Sequence, residues 1–416
     1  MPRINAERLL SELRRFAQFG AYKTGVHRPT YSVEDMESRR WLASQYAALG
    51  LDAHIDGVGN VFGMPRSPRR SLLIGSHAES QNHAGWLDGA LGVIYGLEVA
   101  RAFAETPDCA GLPIAPVAWA DEESHYIALL GSRSYVGDID EAEIDNAVNV
   151  YHGQPLRDAL KAAGLAGVPR RQAEPQRHVG YLEAHIEQGD SLEATGKRIG
   201  IVTSIVGIWQ YRIVFDGIQN HAGTTRMAIR KDAGVAAAML AMAIVERFPQ
   251  VAAERSVWTT GRIALEPGAP SIIPGRAEML FQFRDAEVSV LERMDVALRE
   301  LVEQTSSRSG CPATIERIAT GRPRVMDAAF QDTLEAAARR HAPGLHVRMP
   351  SGASHDAQLV ARKLRAAMLF VSSIGGISHH WTENTDDADI VLGCQVLADA
   401  AETILRSVTP VAHGVV

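Results

Sequence analysis

SLLIGSHAESQNHAGWLDGALGVIYGL, residues 71–97, is the stretch whose reading decides the fold. The apolar run Leu72–Ile74 stops at Gly75, Ser76 and His77, and after Asp88 the residues Leu91, Ile94 and Leu97 recur at helical spacing. A short strand, a polar loop and a helix form the repeating unit of an α/β sheet. Upstream, Leu9, Leu10, Leu13 and Phe16 have helical spacing, and Ser32 with Asp35 caps a second helix carrying Trp41, Leu42 and Tyr46. Strand-like segments follow at Leu51–Ile55 and at Val61 and Phe62, and downstream another lies at Pro116–Trp119. This alternation predicts an α/β domain, a mixed sheet flanked by helices.

The middle of the chain reads differently. From Gln210 to about Thr320 there is a strand (Tyr211, Ile213, Phe215), an Ala-rich helix (Val235–Phe248), two strands, a second helix (Leu291, Met294, Leu298, Leu301) and a last strand near Ala313–Ile318. That βαββαβ order predicts an inserted α+β, ferredoxin-like domain: four strands carrying two helices. The α/β pattern then resumes with a strand at Ala367–Val371 and a final helix bearing Ile390, Cys394, Leu397 and Ile404. The expected division is a larger domain in two parts, 1–209 and 322–416, around an insertion at 210–321.

Composition narrows the class of function. Of 416 residues 46% are hydrophobic and 22% charged, so a folded core is expected rather than disorder. With 49 acidic against 42 basic side chains and no long basic run, nucleic acid is a poor partner. No apolar stretch reaches the roughly 18 residues of a membrane span, and the charged N-terminus MPRINAERLL is unlike a signal peptide. Cys109, Cys311 and Cys394 are far apart and form no CxxC pair, which fits a reducing cytoplasm and suggests neither a disulfide framework nor a thiolate zinc site.

Four segments share one grammar, a short apolar strand followed at once by acidic or imidazole side chains: SLLIGSHAES with His77, PVAWADEES with Glu122 and Glu123, GYLEAHIEQG with His185, and AMLFVSSIGGISHHW with His379. In open α/β sheets ligands gather beyond the carboxyl ends of strands, where these side chains and Asp88 can meet. Singly, each has an ordinary structural explanation: a hydrogen-bonded loop histidine, an N-cap for Asp88, a solvated helix start for the glutamates. Jointly, nitrogen and carboxylate ligands without sulfur suit a catalytic zinc, manganese or cobalt site. Five ligands exceed the need of one ion and fit two ions sharing a carboxylate. Of the adjacent Glu122 and Glu123, one then binds metal while the other accepts a proton from water.

GSHAESQNHAGWLDGALGV, ADEESHYIALLGSR, YLEAHIEQGDSLE, FDGIQNHAGTTRMAIRKDA, SIIPGRAEMLFQFRD, SGASHDA and GISHHWTENT occur in that order. They resemble the hydantoinase/carbamoylase-type amidohydrolases over nearly the whole chain, a group with N-carbamoyl-L-amino-acid hydrolases, β-ureidopropionases and allantoate amidohydrolases, related to dinuclear aminoacylases and aminopeptidases. The resemblance implies two divalent ions per subunit (Zn, Mn, Co or Ni) held by His77, Asp88, Glu123, His185 and His379. Asp88 would bridge them, and Glu122 would be general base and acid. It makes the insertion a lid and dimerisation domain of a homodimer, with His221 reaching the reaction centre from the lid, in cis or from a partner subunit, to polarise the scissile carbonyl. Arg284 would hold the substrate carboxylate, helped by Gln188 and the Gly352–Ala353 backbone, with His355 as a further contact.

The chain departs from the family pattern at several places. Glu79 stands where an aspartate normally orients the metal-binding imidazole from behind, so a shifted or re-angled His77 is expected. Ser271 replaces an asparagine and Arg226 a proline near the lid's substrate side, and His83, His125 and His380 add imidazoles. Together these point to a substrate with an extra carboxylate or polar side chain. The leading expectation is hydrolysis of an N-carbamoyl or similar linear amide of a small carboxylate. Its rivals are an N-acyl-amino-acid deacylase or dipeptidase using the same site, and a catalytically silent binding protein of the same fold.

Overall fold

The computed structural model describes residues 1–408. The chain forms two units: one of Met1–Thr203, Met326–Met349 and the chain from Ala353 on, the other of Ser204–Val325 with Pro350–Gly352. The expected domain limits, 210 and 321, fall inside the second unit. Its first strand already starts at Gly207, and the residues just before it, Ser204 and Ile205, pair with Val325 and Arg324.

The large sheet is mixed. Strands Ala366–Val371, His178–Ile186, Ser71–His77 and Ile114–Trp119 lie side by side in that order, each parallel to its neighbours. Antiparallel strands flank them, Ile199–Ile205 on one side and Val61–Met64 then Asp52–Ile55 on the other. The four parallel strands are buried on both faces, which explains why they read as apolar runs instead of alternating. Parallel pairing also puts their carboxyl ends on one edge, and those ends carry the four segments with shared grammar.

Helix Ala90–Glu105 connects two of these strands and packs directly on the sheet. A Cβ at Gly92 would stand 2.3 Å from the Ala184 carbonyl oxygen, and one at Gly96 2.5 Å from that of Ile74, so glycine permits the approach. Helices Val33–Ala48 and Asp387–Ser407 bury further apolar faces.

In the second unit the strand order is Val257–Glu266, Arg276–Asp285, Gly207–Asp216, Ala313–Thr320, all antiparallel. Arg276–Asp285 alternates strictly, burying Ala277, Met279, Phe281 and Phe283. These meet Tyr211, Ile213 and Phe215 together with Leu240, Ile244, Leu291, Met294 and Leu298 from helices Ala233–Arg247 and Val288–Ser309. No described helix is long and apolar enough to cross a membrane.

Candidate metal centre

His77 ends its strand, His185 is the penultimate residue of the neighbouring one, and the loops after strands Ile114–Trp119 and Ala366–Val371 supply Glu122, Glu123 and His379. Asp88 is not the N-cap it resembles in isolation. The cap of helix Ala90–Glu105 is Gly89, with a φ of 66°, and it has no side-chain cap hydrogen bond. That left-handed residue, which glycine adopts without strain, leaves the Asp88 carboxylate free to face the histidines.

Asp88 divides the cluster in two. Its Oδ1 lies 3.0 Å from His185 Nε2 and 3.4 Å from His77 Nε2, and its Oδ2 lies 3.1 Å from His379 Nε2. His379 Nε2 is in turn 3.4 Å from Glu123 Oε1. Three sets of donor atoms lie within 4.8 Å of one another: His77, Asp88 and His185; Asp88, Glu123 and His379; and His77, Glu122 and Glu123. Glu122 Oε2 is 4.0 Å from His77 Nε2, beside the first set.

Neighbouring groups fix the donors. His77 Nδ1 is hydrogen-bonded to the Glu79 carbonyl oxygen at 3.1 Å and His185 Nδ1 to that of Ile186 at 2.8 Å, which turns both Nε2 atoms into the cluster. Gln81 Nε2 donates to Glu123 Oε2 at 3.0 Å, and Glu383 Oε1 accepts the amide of Asp88 at 3.1 Å. Gln188 Nε2 donates to Asp88 Oδ2 at 3.2 Å. Asp121, Gln188 and His379 hold positive φ, so strained backbone concentrates around the cluster.

The charges are strongly shifted. Burial opposes ionisation of Asp88, but hydrogen bonds from His185, His379 and His77 outweigh it and hold the carboxyl well below its ordinary range. The hydrogen bond to Asp88 pushes His379 up to about 9. Burial, then the charge of Asp88, lifts Glu123 to about 7. Burial and the neighbouring Glu123, Asp356 and Asp88 push Glu122 well above the usual carboxylate value, against the opposing charge of His77.

The donor set suits divalent cations. Glu123 Oε1 is buried without a hydrogen-bond partner, while its other oxygen is held by Gln81. A lone buried carboxylate oxygen aimed at imidazoles and a second carboxylate is what a cation would satisfy.

Of the other expected residues in the first unit, His355 is buried with its ring 4.6 Å from that of His185, and burial pushes its pKa well down. Ala353 is half-buried. Glu79 meets His77 in two ways: its carboxylate Oε1 is 3.8 Å from His77 Nδ1, an ion-pair distance, and its backbone carbonyl accepts the hydrogen bond from that nitrogen. The added imidazoles also separate: His125 is buried against Thr30, His83 stacks on His27 with centroids 4.3 Å apart, and His380 packs on Trp381.

In the second unit His221 and Ser271 are neighbours. Asn220–His221 pairs with Ile272–Ile273, and the Ala222 amide donates to the Ser271 carbonyl. His221 is exposed, its Nδ1 accepting the amides of Gly223 and Thr224, and Arg226 is exposed before a short turn. Arg284 stands near the opposite end of Arg276–Asp285, and its Nη1 donates to the Gly352 carbonyl at 3.1 Å.

The sequence reading missed Gln81, Glu383 and Arg39. Arg39 is fully buried, paired with Asp35 at 2.9 Å and Glu79 at 2.7 Å. The i, i+4 spacing of Asp35 and Arg39 was the available signal, but on a helix it ordinarily marks a solvated pair.

A family model described as Peptidase family M20/M25/M40 matches residues 50–403. The chain is 31% identical to an N-carbamoyl-L-amino-acid amidohydrolase of Paenarthrobacter aurescens, over 98% of this chain and 100% of that protein. It is 32% identical to an allantoate amidohydrolase of Bacillus subtilis (strain 168), over 92% and 94% respectively. Among solved structures, an amidase of the hydantoinase/carbamoylase family from Burkholderia phymatum is 46% identical, covering 98% of this chain and 99% of its own, with a TM-score of 0.90.

Proposed function

This chain belongs to peptidase family M20/M25/M40, and we propose that within it the chain is a two-cation amidohydrolase that cleaves the linear N-carbamoyl (ureido) C–N bond of a small carboxylate such as an N-carbamoyl-L-amino acid. The observation that carries this reading is the grouping of His77 and His185 on one side of Asp88 and of Glu123 and His379 on the other, with Glu122 beside them. Relatives that include an N-carbamoyl-L-amino-acid amidohydrolase support the choice of bond.

His77, Asp88 and His185 would hold one divalent ion and Asp88, Glu123 and His379 a second, zinc, manganese, cobalt or nickel being the candidates. When bound, the ions lower the pKa of water towards neutrality and polarise the carbonyl. Glu122 takes the proton from the attacking water and returns it to the departing nitrogen. His221 donates to the carbonyl oxygen as charge develops there. The Arg284 fork would hold the substrate carboxylate, and Gln188, Gly352, Ala353, His355, Ser271 and Arg226 are the further contacts proposed from the sequence. One water consumed yields the amine, carbon dioxide and ammonia.

Two features of the second unit support a homodimer in which His221 acts in trans. Val235, Met242 and Val245 expose apolar side chains on one helix, and Ile263 and Leu265 do so on the sheet's edge strand. Arg284 lies eight residues, roughly 26 Å, along its strand from Arg276, the end at which the segment with Ser271 and His221 arrives. An amino-acid-sized substrate does not span that. Three free, buried cysteines suit the proposed cytoplasmic location.

The test is a panel of N-carbamoyl, N-formyl, N-acyl and dipeptide compounds assayed with manganese, cobalt, nickel or zinc, recording amine and ammonia together. We expect equal amounts of both from an N-carbamoyl amino acid. Amine without ammonia, from acyl or dipeptide compounds alone, would replace this reading with a deacylase or dipeptidase.

A further inference from the structure

We propose that Glu79 is a positioning residue for Glu122, acting as the end of a buried Asp35–Arg39–Glu79 relay that fixes the turn from which the general base projects. The inference rests on the reading of Glu122 as that base.

Strands Ser71–His77 and Ile114–Trp119 are parallel neighbours, and His77 lies directly opposite Trp119. Glu79 is two residues past the end of the first strand and Glu122 three past the end of the second, so their chains run on side by side. Glu79 Oε1 accepts the Glu122 backbone amide at 2.6 Å, while Glu79 Oε2 accepts Arg39 Nη2 at 2.7 Å. Arg39 Nη1 donates to the carbonyl oxygens of Trp119 at 3.0 Å and Gly59 at 2.9 Å, and Arg39 Nε donates to Asp35 Oδ2 at 3.0 Å. One guanidinium therefore grips the last residue of the strand and the carboxylate that grips the base. All three charged side chains are fully buried.

The turn needs such a grip. Asp121, immediately before Glu122, has a φ of 56°, and Ser124 one of 63°, conformations that side-chain-bearing residues hold only when their surroundings impose them. The Asp121 carboxylate secures the far side of the turn by accepting the amides of His125, Tyr126 and Ile127. The Glu122 amide lies outside that set, and Glu79 is its partner. An aspartate at position 79 would be one methylene short of this span. The length of Glu79 thus has a purpose beyond His77, whose Nδ1 hydrogen-bonds backbone and lies 3.8 Å from Glu79 Oε1.

The test compares Glu79→Asp, Arg39→Lys and Glu122→Gln, singly and with the first two each combined with the third. The readouts are kcat and KM on the N-carbamoyl amino acid hydrolysed best, manganese affinity by competition with a chromophoric chelator, and melting temperature. Lysine lacks the fork that joins Trp119 to Glu79, so Arg39→Lys gives the same comparison if Glu79→Asp fails to fold. We expect kcat to fall by about 10- to 100-fold, the range typical for supporting groups behind a site, with KM and manganese affinity each within about threefold of wild type. In the Glu122→Gln background the same change should cost less than about threefold, because the group being positioned is already gone. Unchanged kcat, a manganese affinity weakened by 10-fold or more, or a kcat loss that persists in full beside Glu122→Gln would overturn the proposal, the latter two pointing to His77. A wild-type rate in Glu122→Gln alone would instead remove the base assignment itself.

Discussion

His77, His185 and His379 face Asp88 through Nε2, and His178 shows what an imidazole in the same unit does without such a partner. Burial, then the charges of Arg171, Arg177 and Arg70, drives His178 down to about 3. Its unfolded form titrates near 6.5, so between about 6.5 and 3 the unfolded chain binds a proton that the folded chain refuses. The share of stability due to this group is complete above 6.5 and is lost as pH falls towards 3. Urea unfolding of wild type and His178→Asn should show a stability difference that shrinks across that window; a constant difference would contradict it. The cluster histidines were legible in the sequence because each lies at or beyond the carboxyl end of a strand. Arg39, Gln81 and Glu383 were not, because their parts are set by hydrogen bonds to Glu79, Glu123 and Asp88, from which they are separated by 40, 42 and 295 positions. Glu79 was legible as a departure, but its partner was not: the backbone amide it holds carries no residue signature.

At the scale of elements, helix Ala90–Glu105 couples sheet packing to the metal centre through its first residues. A Cβ on Gly89 would stand 2.4 Å from His77 Nδ1, and the φ of 66° adds strain for any other residue. Gly89→Ala should fold yet bind manganese at least about tenfold more weakly, measured against a chelator; unchanged affinity would show that the ring is not pinned there. The order of elements in the second unit was readable because Met279, Phe281 and Phe283 alternate and the helices repeat at their own period. Its limits were not. Ser204 and Ile205 belong to a strand that starts in the first unit at Ile199, and no change of composition marks the passage. Likewise Pro350–Gly352 joins the second unit through a hydrogen bond from Val206 to the Ser351 carbonyl, a contact that periodicity does not encode.

For the whole molecule, the proposed dimer makes each reaction centre a joint product of two chains. His221→Ala and Glu122→Gln homodimers should each be nearly inactive. After mixing and subunit exchange in equal amounts, half the dimers are hybrids with one intact centre of two, so activity should return to about a quarter of wild type. No recovery despite demonstrated exchange would place His221 in cis. Everything at this scale depends on the proposed two-cation centre with Asp88 between its ions, and anomalous diffraction from manganese-loaded crystals tests that proposal most directly. The account predicts two peaks per subunit, roughly 3.5–4 Å apart, one touching His77 and His185, the other Glu123 and His379, with an Asp88 oxygen on each. A single peak, or a pair that Asp88 does not join, would contradict it.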